Sequence, residues 1–118
     1  MTYLDVPSLK GYLRISDTDA LDDALLAGIV LAVEAEQRAR CLPSAFTVID
    51  PPPAPPAPTE SVPDDLYLAA LMRGARLYAR RASPEGLVGL GEQGIARIPP
   101  YDRDIDALEA PYRAMVLA

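Results

Sequence analysis

The side chains that can carry chemistry in this chain form an aspartate run, a glycine run and an arginine face. The aspartates come first, at Asp17, Asp19, Asp22 and Asp23. Closely spaced carboxylates can hold a divalent cation, but this spacing differs from a calcium loop and no glutamate closes it at the twelfth position. We interpret the run as the acidic start of a helix, where it complements the positive end of the helix dipole.

The glycine run lies in the C-terminal third of the chain. Its members are Gly86, Gly89, Gly91 and Gly94. The run lacks the preceding strand of a βαβ unit that a dinucleotide site needs, and no Lys followed by Ser or Thr forms a phosphate loop. We predict a mobile loop or loose hairpin over residues 83–101, with arms near Leu87-Val88 and Ile95 to Ile98. We expect this loop to become ordered on assembly against a partner.

The arginine face belongs to the second of two long helices. Spacings of three and four residues place Arg73, Arg76 and Arg80 on one side, and Arg81 adds charge at the helix end. One interpretation is a solvated surface, a second is an intersubunit surface that pairs with a neighbour's aspartates, and a third is contact with DNA. The subunit-interface candidates are Arg73, Arg76, Arg80, Arg81, Asp19, Asp22 and Asp23. Charge reversal of these arginines is expected to impair assembly while the monomer stays folded.

The composition excludes several classes of function. The 118 residues carry a net charge of −6, which disfavours phosphate-driven binding to nucleic acid and docking on anionic lipid. The absence of His removes the usual proton shuttle at neutral pH, and Cys41 has no intramolecular disulfide partner. We expect a protein that is not an enzyme, holds no cofactor or metal and works in a reducing, intracellular setting. The N-terminus shows no signal-peptide pattern, and the longest apolar run, Ala24 to Val33, is far short of the roughly 20 residues of a membrane span.

The apolar pattern predicts a single all-α domain over residues 1–118, a small bundle of about four helices, two long and two short. Val6 to Leu13 is a short helix with Pro7 in its first turn. The first long helix begins at an N-cap among residues 16–18 and covers about 22 residues, until Pro43 ends it. A Pro-rich loop, residues 43–62, follows as a stiff polyproline II excursion, with a candidate strand over residues 46–49.

The second long helix begins at Ser61-Val62-Pro63-Asp64, with Pro63 in the first turn, and runs to about Ala82. One stripe of it holds Tyr67, Leu71, Ala75 and Tyr78. After the Gly-rich loop, Asp102 or Asp104 caps a last helix over residues 102–118, which Pro111 should kink.

The first long helix is apolar around more than half of its circumference. One predicted stripe holds Leu21, Leu25, Ile29 and Ala32, and a second set widens it: Ala24, Gly28, Leu31 and Ala35. A helix of this kind is either central in its bundle or covered by another subunit. The pattern therefore favours an oligomer.

Over most of its length the chain resembles head–tail adaptor (connector) proteins of long-tailed bacteriophages, and two segments carry the strongest resemblance. In residues 71–86, an Ala- and Arg-rich helix runs into a turn matched by Arg80, Arg81, Ser83, Pro84 and Gly86. In residues 102–113, an acidic helix ends in a motif matched by Pro111, Tyr112 and Arg113. The Pro-rich insert at 51–58 departs from the family pattern.

The resemblance implies a small helical virion protein that forms a ring, typically of twelve copies, on the portal vertex of the filled capsid. The ring extends the DNA channel and receives a stopper or tail-completion protein, so the implied location is the head–tail interface, after assembly in the host cytoplasm. Packaged DNA would pass through without sequence-specific binding, and no membrane is involved. The implied portal-docking candidates are Tyr112, Arg113, Met115 and Leu117. The alternatives are another neck component, such as a stopper or head-completion protein, and a small helical DNA-binding regulator.

Overall fold

The computed structural model describes residues 2–55, 57–81, 87–89, 95–97 and 102–113, with the backbone alone for 87–89 and 95–97. The described helices are α1 (Val6–Leu13), α2 (Asp23–Arg40), α3 (Asp64–Ala79) and α4 (Arg103–Glu109). Four short strands, β1 (Thr47–Val48), β2 (Glu60–Ser61), β3 (Leu87–Gly89) and β4 (Ile95–Arg97), form two separate antiparallel ribbons. The predicted all-α bundle, with two long and two short helices, is confirmed.

Helix α1 has the bounds that the sequence predicts. The Asp5 carboxylate caps it by accepting a hydrogen bond from the Ser8 amide (2.8 Å), and a proline occupies the first turn. Arg14 ends the helix in the left-handed region (φ 62°), and its amide donates to the Gly11 carbonyl. The helix packs on α3, where an added Cβ on Gly74 would lie 2.8 Å from Leu9 Cδ1. The missing side chain therefore permits this close contact.

Helix α2 begins at Asp23, so the predicted N-cap among residues 16–18 is wrong and the helix has 18 residues. The preceding segment forms turns instead, because Ser, Thr and Asp side chains compete with the helix for backbone groups. The Ser16 and Thr18 hydroxyls bond each other (2.9 Å), and the Asp19 carboxylate accepts from the Leu21 amide (3.1 Å). Lys10 Nζ donates to the Asp19 carbonyl (2.7 Å), which fixes this turn against α1.

The Pro-rich loop is closed at its base by the β1–β2 ribbon. Val48 pairs with Glu60, and the Ile49 amide donates to the Thr59 carbonyl (2.9 Å). The predicted strand over residues 46–49 is confirmed at its two central residues. Ser61 belongs to β2 and makes no side-chain cap, so α3 starts only after Pro63 and ends at Ala79.

The core lies where α1, α2 and α3 meet beneath the N-terminal segment. Its buried members are Tyr3, Leu4, Leu9, Leu26, Ile29, Val30, Val33 and Ala70. A second cluster of Cys41, Ala45 and Leu66 joins the end of α2 to the start of α3. Helix α3 contacts each of the other three helices, so it is the central element of the bundle.

The C-terminal segment departs from the predicted helix over residues 102–118. Asp102 caps α4 as predicted, with its Oδ1 accepting from the Asp104 amide (2.8 Å). The α-helix stops at Glu109 and a 3-10 turn, Ala110–Tyr112, follows, because Pro111 has no amide hydrogen to continue the helix. Arg113 is extended and forms an isolated antiparallel bridge with Cys41. Residues 114–118 lie outside the described part of the chain.

The Gly-rich segment contains the predicted hairpin. Strands β3 and β4 pair antiparallel, with Leu87 opposite Arg97 and Gly89 opposite Ile95. Gly86, Gly91 and Gly94 lie outside the described residues, and their ordering on assembly stays a prediction.

Candidate functional site

Helix α2 carries an apolar face that nothing in the described part of the chain covers. We call it the α2 face, and its members are Ala24, Gly28, Leu31, Ala32 and Ala35. All five are exposed, Leu31 to 68%, and an added Cβ on Gly28 would meet no atom within 4 Å. At 100° per residue these positions form a continuous stripe with no charged member. The sequence predicts that this helix is either central in its bundle or covered by another subunit. The described residues of its own subunit leave this face open.

The inward face of α2 is formed by a different set of residues. The buried ones are Leu26, Ile29, Val30, Val33, Glu34 and Gln37. Of the stripe predicted from Leu21, only Ile29 is buried, while Leu21 is 89% and Leu25 42% exposed. Apolar residues lie on all sides of this helix, so the stripe from Leu21 does not mark the side that is buried.

A second apolar stripe lies on the outside of α3. We call it the α3 strip, and its members are Leu68, Met72, Ala75 and Ala79. Leu68 is 42% exposed, Ala79 is exposed, and the other two are half-buried. Spacings of four, three and four residues align them along the helix. The chain thus presents two unlike apolar surfaces: the α2 face has one large side chain, Leu31, among small residues, and the α3 strip has two, Leu68 and Met72.

Arg73 lies inside the subunit, and its guanidinium group binds two acidic residues of the same chain. Its Nε and Nη2 each lie 2.6 Å from a carboxylate oxygen of Glu109, and its Nη1 lies 2.9 Å from Glu36 Oε1. The Glu109 side chain is fully buried and the Arg73 side chain is 14% exposed. These contacts correct the prediction that Arg73 faces a neighbouring subunit, because its donors are used within the bundle.

The Glu109 carboxylate belongs to a buried hydrogen-bond chain that crosses the bundle. Gln37 Nε2 donates to Glu109 Oε2 (2.9 Å), and Tyr3 Oη donates to Gln37 Oε1 (2.6 Å). Burial tends to raise the pKa of Glu109, but hydrogen bonds from Arg73 and Gln37 and the Arg73 charge outweigh it, so the pKa falls below its usual value. Burial, and then the nearby Glu34 charge, raise the pKa of Tyr3 well above that of an exposed tyrosine. Each member has its partner, so the chain ties elements together and offers no free acid or base.

The remaining arginines of the predicted face differ in their surroundings. Arg76 Nη1 donates to Asp102 Oδ2 (3.2 Å), a contact between α3 and the α4 cap. Arg81 is exposed at the end of α3, where its guanidinium carbon lies 3.8 Å from the Tyr78 ring centroid. Arg80 directly precedes it. Arg76 thus also has an acidic partner within the subunit, and the intersubunit role of Arg76, Arg80 and Arg81 stays a prediction.

Two of the three aspartates predicted to face a neighbour bind side chains of their own subunit. Lys10, which is almost fully buried, forms an ion pair with Asp23 (2.5 Å). The Tyr78 hydroxyl donates to Asp22 Oδ2 (2.5 Å) and this bond raises the tyrosine pKa. Asp17 and Asp19 are both exposed. The turn before α2 therefore carries the acidic charge that faces outwards.

Two of the predicted portal-docking residues anchor the C-terminal segment to the bundle. Tyr112 Oη donates to Asp65 Oδ1 (2.5 Å), and the Tyr112 carbonyl accepts from the Leu42 amide (2.7 Å). Arg113 forms an ion pair with Asp106. Met115 and Leu117 lie outside the described residues, and their docking role stays a prediction.

The burial of five polar residues among those described was not predicted from the sequence: Lys10, Glu34, Gln37, Glu60 and Glu109. The Glu34 carboxylate accepts from the Tyr3 amide (2.8 Å) and the Thr2 hydroxyl (2.8 Å), which fastens the N-terminal segment to α2. The available signal was spacing, since Glu34 and Gln37 continue the stripe of Val30 and Val33. Burial of polar side chains at such positions implies partners.

Cys41 is buried, which raises the pKa of its thiol and keeps it protonated. None of the described residues forms a group of three or more His, Cys, Asp or Glu side chains placed to hold a metal ion. What the arrangement offers is surface: two apolar stripes and the charged segments at the ends of their helices.

No protein-family model, curated protein or solved structure matches the chain. Among the helices in the described ranges, none has both the length and the apolar content needed to cross a bilayer.

Proposed function

We propose that this chain is a structural subunit of a bacteriophage neck, a head–tail adaptor that forms a ring on the portal vertex. In this role it extends the DNA channel of the filled head and receives the stopper or tail-completion protein. The proposal joins the resemblance of residues 71–86 and 102–113 to the surface properties of the folded subunit. It assigns the chain no catalytic reaction and no cofactor.

The observation that carries the proposal is the uncovered α2 face. Its members are apolar and exposed along a helix of 18 residues, which is unusual for a subunit that works alone in water. The α3 strip provides a second, dissimilar apolar surface. A ring requires such heterologous contacts, in which one surface of a subunit meets a different surface of the next.

The charge of the chain suits a channel through which a genome moves. The net charge of −6 repels the phosphate backbone, and the arginines at positions 73 and 76 are neutralised by acidic partners within the subunit. Strong phosphate contacts would slow the passage of DNA, so a subunit with few available cations is favoured here. The same charge argues against the alternative of a DNA-binding regulator.

Electron microscopy of the purified chain mixed with the portal protein encoded by the same genome tests this function. We expect an additional ring of density on one end of the portal, with the rotational symmetry of the portal ring. A portal that remains bare at saturating concentrations of the chain would overturn the proposal. A gel shift at physiological salt is the matched test of the regulator alternative, for which we expect no shifted band.

A further inference from the structure

We infer that the α2 face of one copy is covered by the α3 strip of a second copy, with the two helices antiparallel. The inference rests on the proposed function only in that both require copies of this chain to assemble. It names the two surfaces that meet and therefore predicts which substitutions break the contact. The observations behind it are side-chain size, charge at the helix ends and helix length.

The two surfaces together offer three large apolar side chains. On the α2 face, Leu31 projects from a stretch of small residues, Ala24, Gly28, Ala32 and Ala35, and Gly28 has open space where a Cβ would lie. Small residues allow a partner helix to approach closely, and the α3 strip brings Leu68 and the half-buried Met72 to the contact. Packing α2 against a second α2 would bury two copies of Leu31 as its only large side chains and would remove less apolar area from water.

The charges at the helix ends favour the antiparallel orientation. Asp17 and Asp19 are exposed just before α2, and the exposed Arg40 ends it. Helix α3 has the same polarity, from the exposed Asp64 in its first turn to Arg81 just beyond its last residue. An antiparallel α2–α3 pair therefore places the acidic start of each helix beside the basic end of the other. The opposed helix dipoles add to this preference.

The two helices also match in length. Helix α2 has 18 residues and α3 has 16, which correspond to about 27 Å and about 24 Å of helix axis. The apolar stretch of each helix lies between its charged ends, so the two stretches overlap when the ends are paired. The contact needs no rearrangement of the subunit, because the members of both stripes face outwards already.

Sedimentation velocity of the full chain, at rising concentration, tests this contact through two single variants. Leu31→Glu places a charge on the α2 face, and Leu68→Glu places one on the α3 strip. Each should weaken self-association on the order of 100-fold, since the charge would be buried at the contact without a partner. Leu77→Glu is the matched control, because Leu77 lies on a different side of α3 and is 39% exposed against 42% for Leu68. Ala79→Glu is a second variant of the α3 strip. It should weaken self-association in the same way, and it replaces Leu68→Glu if that variant loses helicity.

Mixing the two defective variants distinguishes the possible contacts. A Leu68→Glu copy keeps an intact α2 face and a Leu31→Glu copy keeps an intact α3 strip, so the mixture should form a 1:1 heterodimer although neither variant associates alone. If Leu68→Glu and Ala79→Glu associate normally while Leu31→Glu does not, α2 pairs with α2 and the inference is wrong. A wild-type chain that stays monomeric at all concentrations also overturns it, whatever the portal experiment shows. Wild-type association that stops at a dimer would support this contact and count against the proposed ring.

Discussion

Arg73 on α3 and Glu109 at the end of α4 form a two-pronged ion pair, with both carboxylate oxygens 2.6 Å from guanidinium nitrogens. The pair is enclosed by the bundle, since Glu109 is fully buried. Gln37 completes the coordination of the carboxylate from α2. Three helices therefore meet at one charged group, and the arginine most prominent in the sequence as an interface candidate holds its own subunit together.

Removal of the Arg73 guanidinium should destabilise the monomer strongly. Arg73→Met leaves the Glu109 carboxylate buried without its cation, and we expect the free energy of unfolding to fall by about 3–5 kcal/mol. Chemical denaturation followed by circular dichroism measures the loss. The Arg73→Met/Glu109→Met double variant leaves no buried charge of this pair without a partner, and the part-exposed Glu36 keeps its contact with Arg40, so much of the stability should return. A loss below about 1 kcal/mol in the single variant would show that the pair is not essential to the fold.

The same pair makes stability depend on acid pH. The folded-state pKa of Glu109 lies below its ordinary value of 4.5, so the folded state favours the ionised form more than the unfolded state does. Its contribution is present above pH 4.5 and is lost as the pH falls through the lowered folded-state pKa. We expect the free energy of unfolding to decline in this range, and to decline less steeply for Glu109→Gln. Equal slopes for the two proteins would contradict the assignment.

Two glycines in the long helices should respond in opposite ways to a side chain. Gly28→Ala meets open space and improves helix propensity, so the free energy of unfolding should rise by about 0.5–1 kcal/mol. Gly74→Val forces branched methyl groups toward Leu9, which lies 2.8 Å from the position of an added Cβ, and should lower it by about 1–3 kcal/mol. Thermal unfolding of both variants checks the contrast. A stable Gly74→Val protein would show that α1 does not pack on α3 so closely.

Charge reversal at the end of α3 should separate assembly from folding. We expect Arg81→Glu to keep the helical content of the wild type and to associate more weakly, because the acidic start of a neighbour's α2 would then meet like charge. Adding Asp17→Arg/Asp19→Arg to the same chain reverses both sides and should restore association. Sedimentation at low and high salt provides the measurement, since the effect of exposed charges should fade with ionic strength. If the triple variant fails to recover association, this pairing is excluded.

The sequence predicted elements well where a local signal defines them. Helix α1 is fixed by Asp5 and Pro7 at its start, and its predicted bounds are those observed. The predicted start of α2 was wrong because Lys10 and the side chains of residues 16–19 stabilise a turn before the helix. Those contacts form only when α1 is in place.

The candidate site was harder to predict because it depends on which side of a helix faces inwards. Apolar residues surround α2, so periodicity alone did not separate the buried Leu26 and Val33 from the exposed Leu25 and Leu31. Contacts with residues far away in the sequence determine which side of the helix faces the core, as in the hydrogen bond from Gln37 to Glu109. The spacing of the arginines correctly placed Arg73 and Arg76 on one face of α3. It could not predict that this face packs against α4.

Deletion of the gene from its native genome tests the central proposal, an assembly subunit of the phage neck, most directly. Electron microscopy of the resulting lysate should show heads without attached tails, and packaged DNA should leak from them. Restoring the wild-type gene in trans should restore tailed particles, whereas the Leu31→Glu gene should not. Complete tailed virions with retained genomes in the deletion strain would contradict the proposal.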